Sequence, residues 1–101
     1  MIFSMRYRSK FEIIGQILAV ANGSSVTRTK IMYKVFLNSN QSREFLITLI
    51  ERGLLLFDRE THKFKTTEKG HKVLQAYTEL SELMEGVEQN KATRYIESQI
   101  Y

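Results

Sequence analysis

Residues 34–55 read KVFLNSNQSREFLITLIERGLL. A helical apolar pattern runs into Val35, Phe36 and Leu37, stops at Asn38-Ser39-Asn40, and resumes through Leu46, Leu49 and Ile50 until Gly53. Asn38 followed three residues later by Gln41 has the form of an N-cap and its reciprocal partner, so a new helix is expected to start there. Gly53 supplies the left-handed stop. In the second helix Leu46, Leu49 and Ile50 should face inward, with Phe45 at the margin and the small Ser42 at a close crossing. The pause turns the chain so that this helix projects from the body.

The flanking segments fit the same plan. Upstream, Ser9 with Glu12 has capping-box spacing. Phe11, Ile14, Leu18 and Ala21 recur at helical intervals, with Ile13, Ile17 and Val20 widening the stripe and Asn22-Gly23 closing it, so a helix is predicted over 9–21. Another follows Ser25-Val26-Thr27, with Ile31, Met32, Val35 and Phe36 inside and Arg28, Lys30 and Lys34 outside. Two helices parted by three or four residues cross steeply, as in a helix-turn-helix. Downstream the period changes. Leu54 to Asp58 reads as a strand, Arg59 to His62 as a turn, and Lys63 to Thr66 as the returning strand. A hairpin appended to a helix-turn-helix is a wing. The expected fold is mainly α with a small β-hairpin: a winged helix-turn-helix at residues 1–66, then a long C-terminal dimerisation helix and tail at 67–101.

That last helix, capped by Thr66 or Thr67, places Val73, Tyr77, Leu80, Met84 and Val87 at alternating spacings of four and three. This is the seam of a short coiled coil and makes a homodimer the expected assembly. Leu74 and Leu83 flank the seam and are expected on the parent domain. The competing reading is one amphipathic helix lying on its own core. Beyond Met84 the apolar face shifts, and the helix either ends at Gly86 or continues on a new face.

With 101 residues, 43% of them hydrophobic, the chain suits one modest core. It has no cysteine, which removes disulfides and thiolate metal sites and fits a cytoplasmic location. No apolar run is long enough to span a bilayer and no signal-peptide pattern is read, so a membrane partner is not expected. His62 and His71 are the only imidazoles, too few for a metal centre without thiolates. No nucleophile sits at a telling distance from a base and no glycine-rich phosphate loop is present, so the reading is a non-enzyme without cofactor. Tyr33 and Tyr77 read as core-edge aromatics with wetted hydroxyls.

Net charge is +4, unevenly spread. Residues 1–36 carry six Lys/Arg and one Glu; residues 73–101 carry two Lys/Arg and five Glu. A basic front half is the footprint of a polyanion partner.

The segments RSKFEIIGQIL, TRTKIMYKVFL, LITLIERGLLLFD and FKTTEKGHKVLQAYTEL, spanning roughly Arg6 to Met84, resemble a family of small archaeal winged helix-turn-helix proteins. That family includes ten-kilodalton DNA-binding proteins that dimerise through an antiparallel coiled coil, and domains of archaellum regulators. The resemblance implies binding of double-stranded DNA, as a transcriptional regulator or chromatin-associated factor, with the helix after Asn38 in the major groove. Family members often carry several lysines there. Here the outer face is Ser39, Asn40, Gln41, Arg43, Glu44 and Ile47, one cation cancelled by one carboxylate. Asn, Gln and Arg pair with base edges, yet the neutral face and Ile47 also suit a protein-interaction module that does not bind DNA. Backbone contacts are expected from Arg28, Lys30 and Lys34 on the crossing helix, from Arg59, Lys63 and Lys65 on the wing, and from Arg6, Arg8 and Lys10 at the front. A competing role for the wing lysines is guarding an edge strand against foreign pairing.

Overall fold

The structure, a computed structural model, describes residues 8–85. Helix α1 spans Lys10–Val20 and is started by the expected box: Ser9 Oγ accepts from the Glu12 N–H at 3.1 Å, and Glu12 Oε1 accepts from the Ser9 N–H at 2.9 Å. A two-residue strand β1 (Val26–Thr27) follows, and Thr27 caps α2 (Arg28–Val35) through the Lys30 N–H. Helix α3 covers Ser39–Glu51, and both halves of its capping box are present: Gln41 N–H to Asn38 Oδ1 at 2.8 Å, and Asn38 N–H to Gln41 Oε1 at 3.0 Å.

The turn between α2 and α3 corrects one expectation. Phe36 does not join the inner face; it takes a left-handed conformation (φ 59°) and the residue is 81% exposed. The Leu37 N–H returns to the Met32 carbonyl at 3.0 Å, and Leu37 is buried instead. The chain must reverse within three residues, and a left-handed residue at the helix end followed by a buried apolar one is the usual way to do so. The end of α3 repeats the device with glycine. Gly53 (φ 76°) donates to Ile50 and Leu54 donates to Leu49, the paired bonds of a Schellman motif.

Strands β2 (Leu55–Asp58) and β3 (Lys63–Thr66) form the expected hairpin. The sheet has a third strand that the hydrophobic pattern did not disclose. Its order is β1-β3-β2, antiparallel throughout, with Val26 opposite Phe64 on one side and Phe57 opposite Phe64 on the other. Lys63 and Lys65 therefore lie on the central strand, where guarding an open edge has no meaning.

Ile17, Leu18, Ala21, Val26, Ile31, Val35, Leu37, Leu46, Leu49, Leu54, Leu55 and Phe64 form the core. Ile50, expected inside, sits at the rim, and Phe45 packs partly buried at the margin as its position implied. Thr66 ties layers together: its hydroxyl donates to the Leu18 carbonyl at 2.8 Å and its N–H to the Ala21 carbonyl at 2.9 Å. Those carbonyls belong to the last turn of α1, which has no partners of its own.

Helix α4 spans Glu68–Met84 and is capped by Thr67, not Thr66. The Thr67 hydroxyl accepts from the Gly70 N–H at 2.9 Å and donates to the Gly53 carbonyl at 2.7 Å, locking the start of α4 to the end of α3. A methyl group at Gly70 would lie 2.2 Å from the Leu54 carbonyl oxygen. That approach explains why a glycine stands in this first turn. Val73 and Leu74 pack against the core. The Tyr77 ring covers Gly15 of α1 and meets Phe11 edge-on at 5.4 Å. Leu83, expected on the parent domain, is instead 79% exposed. Val87 and Gly86 lie outside the described residues.

Candidate nucleic-acid interface

The first two turns of α3 are fixed from below. Ser42, Leu46 and Leu49 anchor the helix, and Ser39, Asn40, Gln41, Arg43, Glu44 and Ile47 face outward. Packing of α2 against α3 brings Arg28 to the start of α3. Its Nε donates to Ser42 Oγ at 3.1 Å, and its Nη2 donates to the Ser39 carbonyl at 2.9 Å and to Ser39 Oγ at 2.7 Å. Arg28 is thus a brace that aims α3, a role its place on the crossing helix did not reveal. Ser39 is likewise committed to this brace, and the Gln41 carbonyl to the cap. Asn40 and Arg43 make no side-chain hydrogen bond among the described residues. They are the side chains of this turn ready for bidentate pairing with a base edge, which needs both ends of an amide or the guanidinium fork.

Between α3 and the sheet lies a groove of about 230 Å³ lined by Arg28, Arg43, Leu46, Ile47, Ile50, Phe57 and Phe64. Phe57 and Phe64 stack tilted at 4.9 Å to form its floor. Lys63 and Lys65 emerge from the opposite, outer face of the sheet, since Phe64 and Thr66 take the inner one. Arg59 lies exposed in the hairpin turn. The turn is held by Asp58, whose Oδ1 accepts from the Glu60 N–H at 2.9 Å and whose carbonyl accepts from the His62 N–H at 2.7 Å. The bond from Glu60 holds the Asp58 carboxyl below its ordinary pKa, aided by Thr61 and by the nearby His62.

The remaining cations divide between places. Arg8 bonds Gln16 and donates to the Phe36 carbonyl at 3.3 Å, capping the C-terminal end of α2 where a positive charge is favoured. With Lys34 it borders a second groove, between α1 and α2. Lys30 lies exposed on α2, and Lys10 on the first turn of α1. Arg6 is outside the described residues. The structure therefore brings Arg28 of α2 against Ser39, Asn40, Gln41 and Arg43 in the first two turns of α3, puts Arg8 with Lys34 at the far end of α2, and sets Lys63 and Lys65 on the sheet's outer side. Tyr33, expected at the core edge, stands exposed near Phe36 at that far end.

Residues 7–85 match the winged helix-turn-helix family. The chain belongs to that family. It is 34% identical over 77 residues to an uncharacterised protein of Methanocaldococcus jannaschii, covering 76% of this chain and 77% of the relative. Among solved structures it resembles Sso10a-2, a DNA-binding protein from Sulfolobus solfataricus, with a TM-score of 0.80 at 21% identity, over 93% of this chain and 98% of the other. It also resembles the transcriptional repressor CouR bound to p-coumaroyl-CoA, with a TM-score of 0.57 at 18% identity, over 96% of this chain and 73% of the other. At these identities the two structures speak for the fold. Within the winged helix-turn-helix frame α3 takes the recognition position and β2–β3 the wing. Among the described residues no cluster of His, Asp or Glu converges as a metal site, and no helix is long and apolar enough to cross a membrane.

Proposed function

We propose that the protein binds double-stranded DNA as a homodimer, acting as a transcriptional regulator or chromatin-associated factor. The observation that carries this reading is the presentation of α3. A helix held by a complete capping box and braced by Arg28 offers Asn40 and Arg43 outward from its first two turns, at the end that enters a major groove in helix-turn-helix proteins. In this reading the basic front of the chain supplies the long-range attraction, and exposed Lys30 on α2 is a phosphate contact. That Sso10a-2 is a DNA-binding protein on the same fold, and CouR a repressor, supports the same direction.

Dimerisation is assigned to α4. Its first half, with Val73 and Tyr77, is occupied by its own chain, while Leu80, Leu83 and Met84 are 46%, 79% and 52% exposed. Three large apolar side chains on five consecutive positions of a helix end form the kind of patch that a partner helix covers. In this reading residues 1–66 address DNA and residues 67–101 join protomers. The deciding experiment is an electrophoretic shift with random and genomic duplexes at two salt concentrations. Retarded complexes that weaken at higher salt support the reading. Absence of any complex at about 50 mM salt, where non-specific attraction is strong, overturns it and leaves the interaction-module alternative, for which the exposed Ile47 speaks.

A further inference from the structure

The groove between α3 and the sheet has a chemistry that DNA reading does not use. Arg43, Leu46, Ile47 and Ile50 fall at spacings of three, one and three, a single face of α3 turned toward Phe57 and Phe64. Ile47 is 46% exposed and Ile50 37% exposed, on the outer side of a helix whose neighbouring positions are polar. A phosphodiester backbone has nothing to offer two isoleucines and a phenylalanine pair. Two arginines, Arg28 and Arg43, line the same groove. Arg28 is half-buried and donates only to neutral oxygens, so its charge is uncompensated by those bonds. Arg43 makes no hydrogen bond among the described residues, and its fork is available. Apolar walls with two cations match a molecule with an apolar body and one anionic end.

We propose that this groove binds a small organic monocarboxylate: the carboxylate on Arg43 and on Nη1 of Arg28, the nitrogen its bonds to Ser39 and Ser42 leave over, and the hydrocarbon or aryl body on Ile47, Ile50, Phe57 and Phe64. The volume, about 230 Å³, lies below the roughly 300–1,000 Å³ of sites for drug-sized ligands. It suits a body of about six to ten carbons. Because Arg43 is also the guanidinium that faces a base edge, acid and DNA compete for one side chain. Occupancy of the groove lowers DNA affinity, and DNA lowers affinity for the acid by the same factor. The competition rests on the DNA reading above; binding of the acid does not.

The test uses octanoate and phenylacetate on the full chain, followed by backbone amide resonances, with octanol and acetate as controls. Both acids should give saturable shifts confined to α3 and β2–β3, with dissociation constants on the order of 0.1–1 mM. Octanol and acetate should bind at least about tenfold more weakly, one lacking the charge and the other the body. R43Q and I47E should each weaken octanoate about tenfold or more while leaving the dispersed spectrum of a folded chain intact. With a fluorescent duplex, saturating octanoate should raise the apparent DNA dissociation constant several-fold. Overturning results are an absence of saturable shifts at about 10 mM acid, equal binding of octanol, or shifts centred on the α1–α2 groove. Acid binding with no duplex binding under any condition would sink the DNA reading and leave the acid site standing.

Discussion

Arg28 carries a positive charge on the helix packed against α3, and charge alone would assign it to phosphate. Its three donated bonds also tie it to Ser39 and Ser42. Hydrogen bonds to a charged group contribute about 1.5–3 kcal/mol when buried, and less at a half-exposed site, so Arg28→Ala should destabilise the fold by about 1–2 kcal/mol in urea unfolding. Asn38→Ala should cost about 0.5–2 kcal/mol through loss of the cap. Ser39→Ala should cost less than Asn38→Ala, because Arg28 keeps the Ser39 carbonyl and Ser42. A reversed ranking would move the start of α3 by one residue and re-aim Asn40 and Arg43. At this scale the sequence was legible where the interaction is local. Both capping boxes, at Ser9 with Glu12 and at Asn38 with Gln41, join residues three apart, and a pattern of that length can be read directly. Arg28 to Ser42 and Thr66 to Leu18 span 14 and 48 residues, and nothing in a one-dimensional pattern marks such a bond. Phe36 was misplaced for a related reason. Periodicity continued through it, and the left-handed turn that leaves it exposed is dictated by where α3 must begin.

Among the described elements, the hairpin and helices α1 to α4 followed from period and punctuation, whereas β1 did not. Two residues, Val26 and Thr27, are too few to show a period of two, and they become a strand only because β3 offers an edge to them. That addition changes the meaning of the wing, placing Lys63 and Lys65 mid-sheet and on its outer face. The hairpin tip depends on an ionised Asp58. Its carboxyl has a lower pKa in the folded chain than the ordinary 3.8, so its contribution is fully present above that value and fades as pH falls through the lower native one. Amide exchange at Glu60 should therefore accelerate below about pH 4, relative to core amides, after correction for intrinsic rates. Asp58→Asn, which keeps an acceptor for the Glu60 N–H but cannot titrate, should abolish that acid-side change. Helix α4 is the element whose apolar seam is partly taken up by its own chain, at Val73 and Tyr77. Tyr77 lies on Gly15, where a methyl group would come within 2.5 Å of the ring. Gly15→Ala should therefore lift α4 or displace the ring at a cost of about 1–3 kcal/mol, seen as a lowered melting temperature.

At the scale of the whole molecule, the proposed homodimer is tested first by its mass. Light scattering should give about twice the 11.9 kDa chain mass, and Leu80→Asp, at a position half-exposed within one chain, should give monomers that stay folded. A wild-type monomer at micromolar concentration would remove the dimer and halve the phosphate contacts expected of each complex. If two protomers each contribute three or four cations as proposed, about six to eight phosphates would be neutralised, and log affinity should fall with log salt at a slope of roughly −5 to −7. Two variants then separate the roles. Removing Lys63 and Lys65 together should flatten the slope and weaken every duplex alike if the wing reaches phosphate around the sheet's outer face. An unchanged slope would show that these lysines face solvent in the complex. Arg43→Ala should behave differently, because a guanidinium paired with a guanine edge discriminates among sequences: a loss of about 1–3 kcal/mol on the preferred site and little on random DNA. Equal weakening on all duplexes would make Arg43 another phosphate contact. The neutral face of α3 would then position the protein without reading sequence, and a chromatin-associated role would displace that of a site-specific regulator.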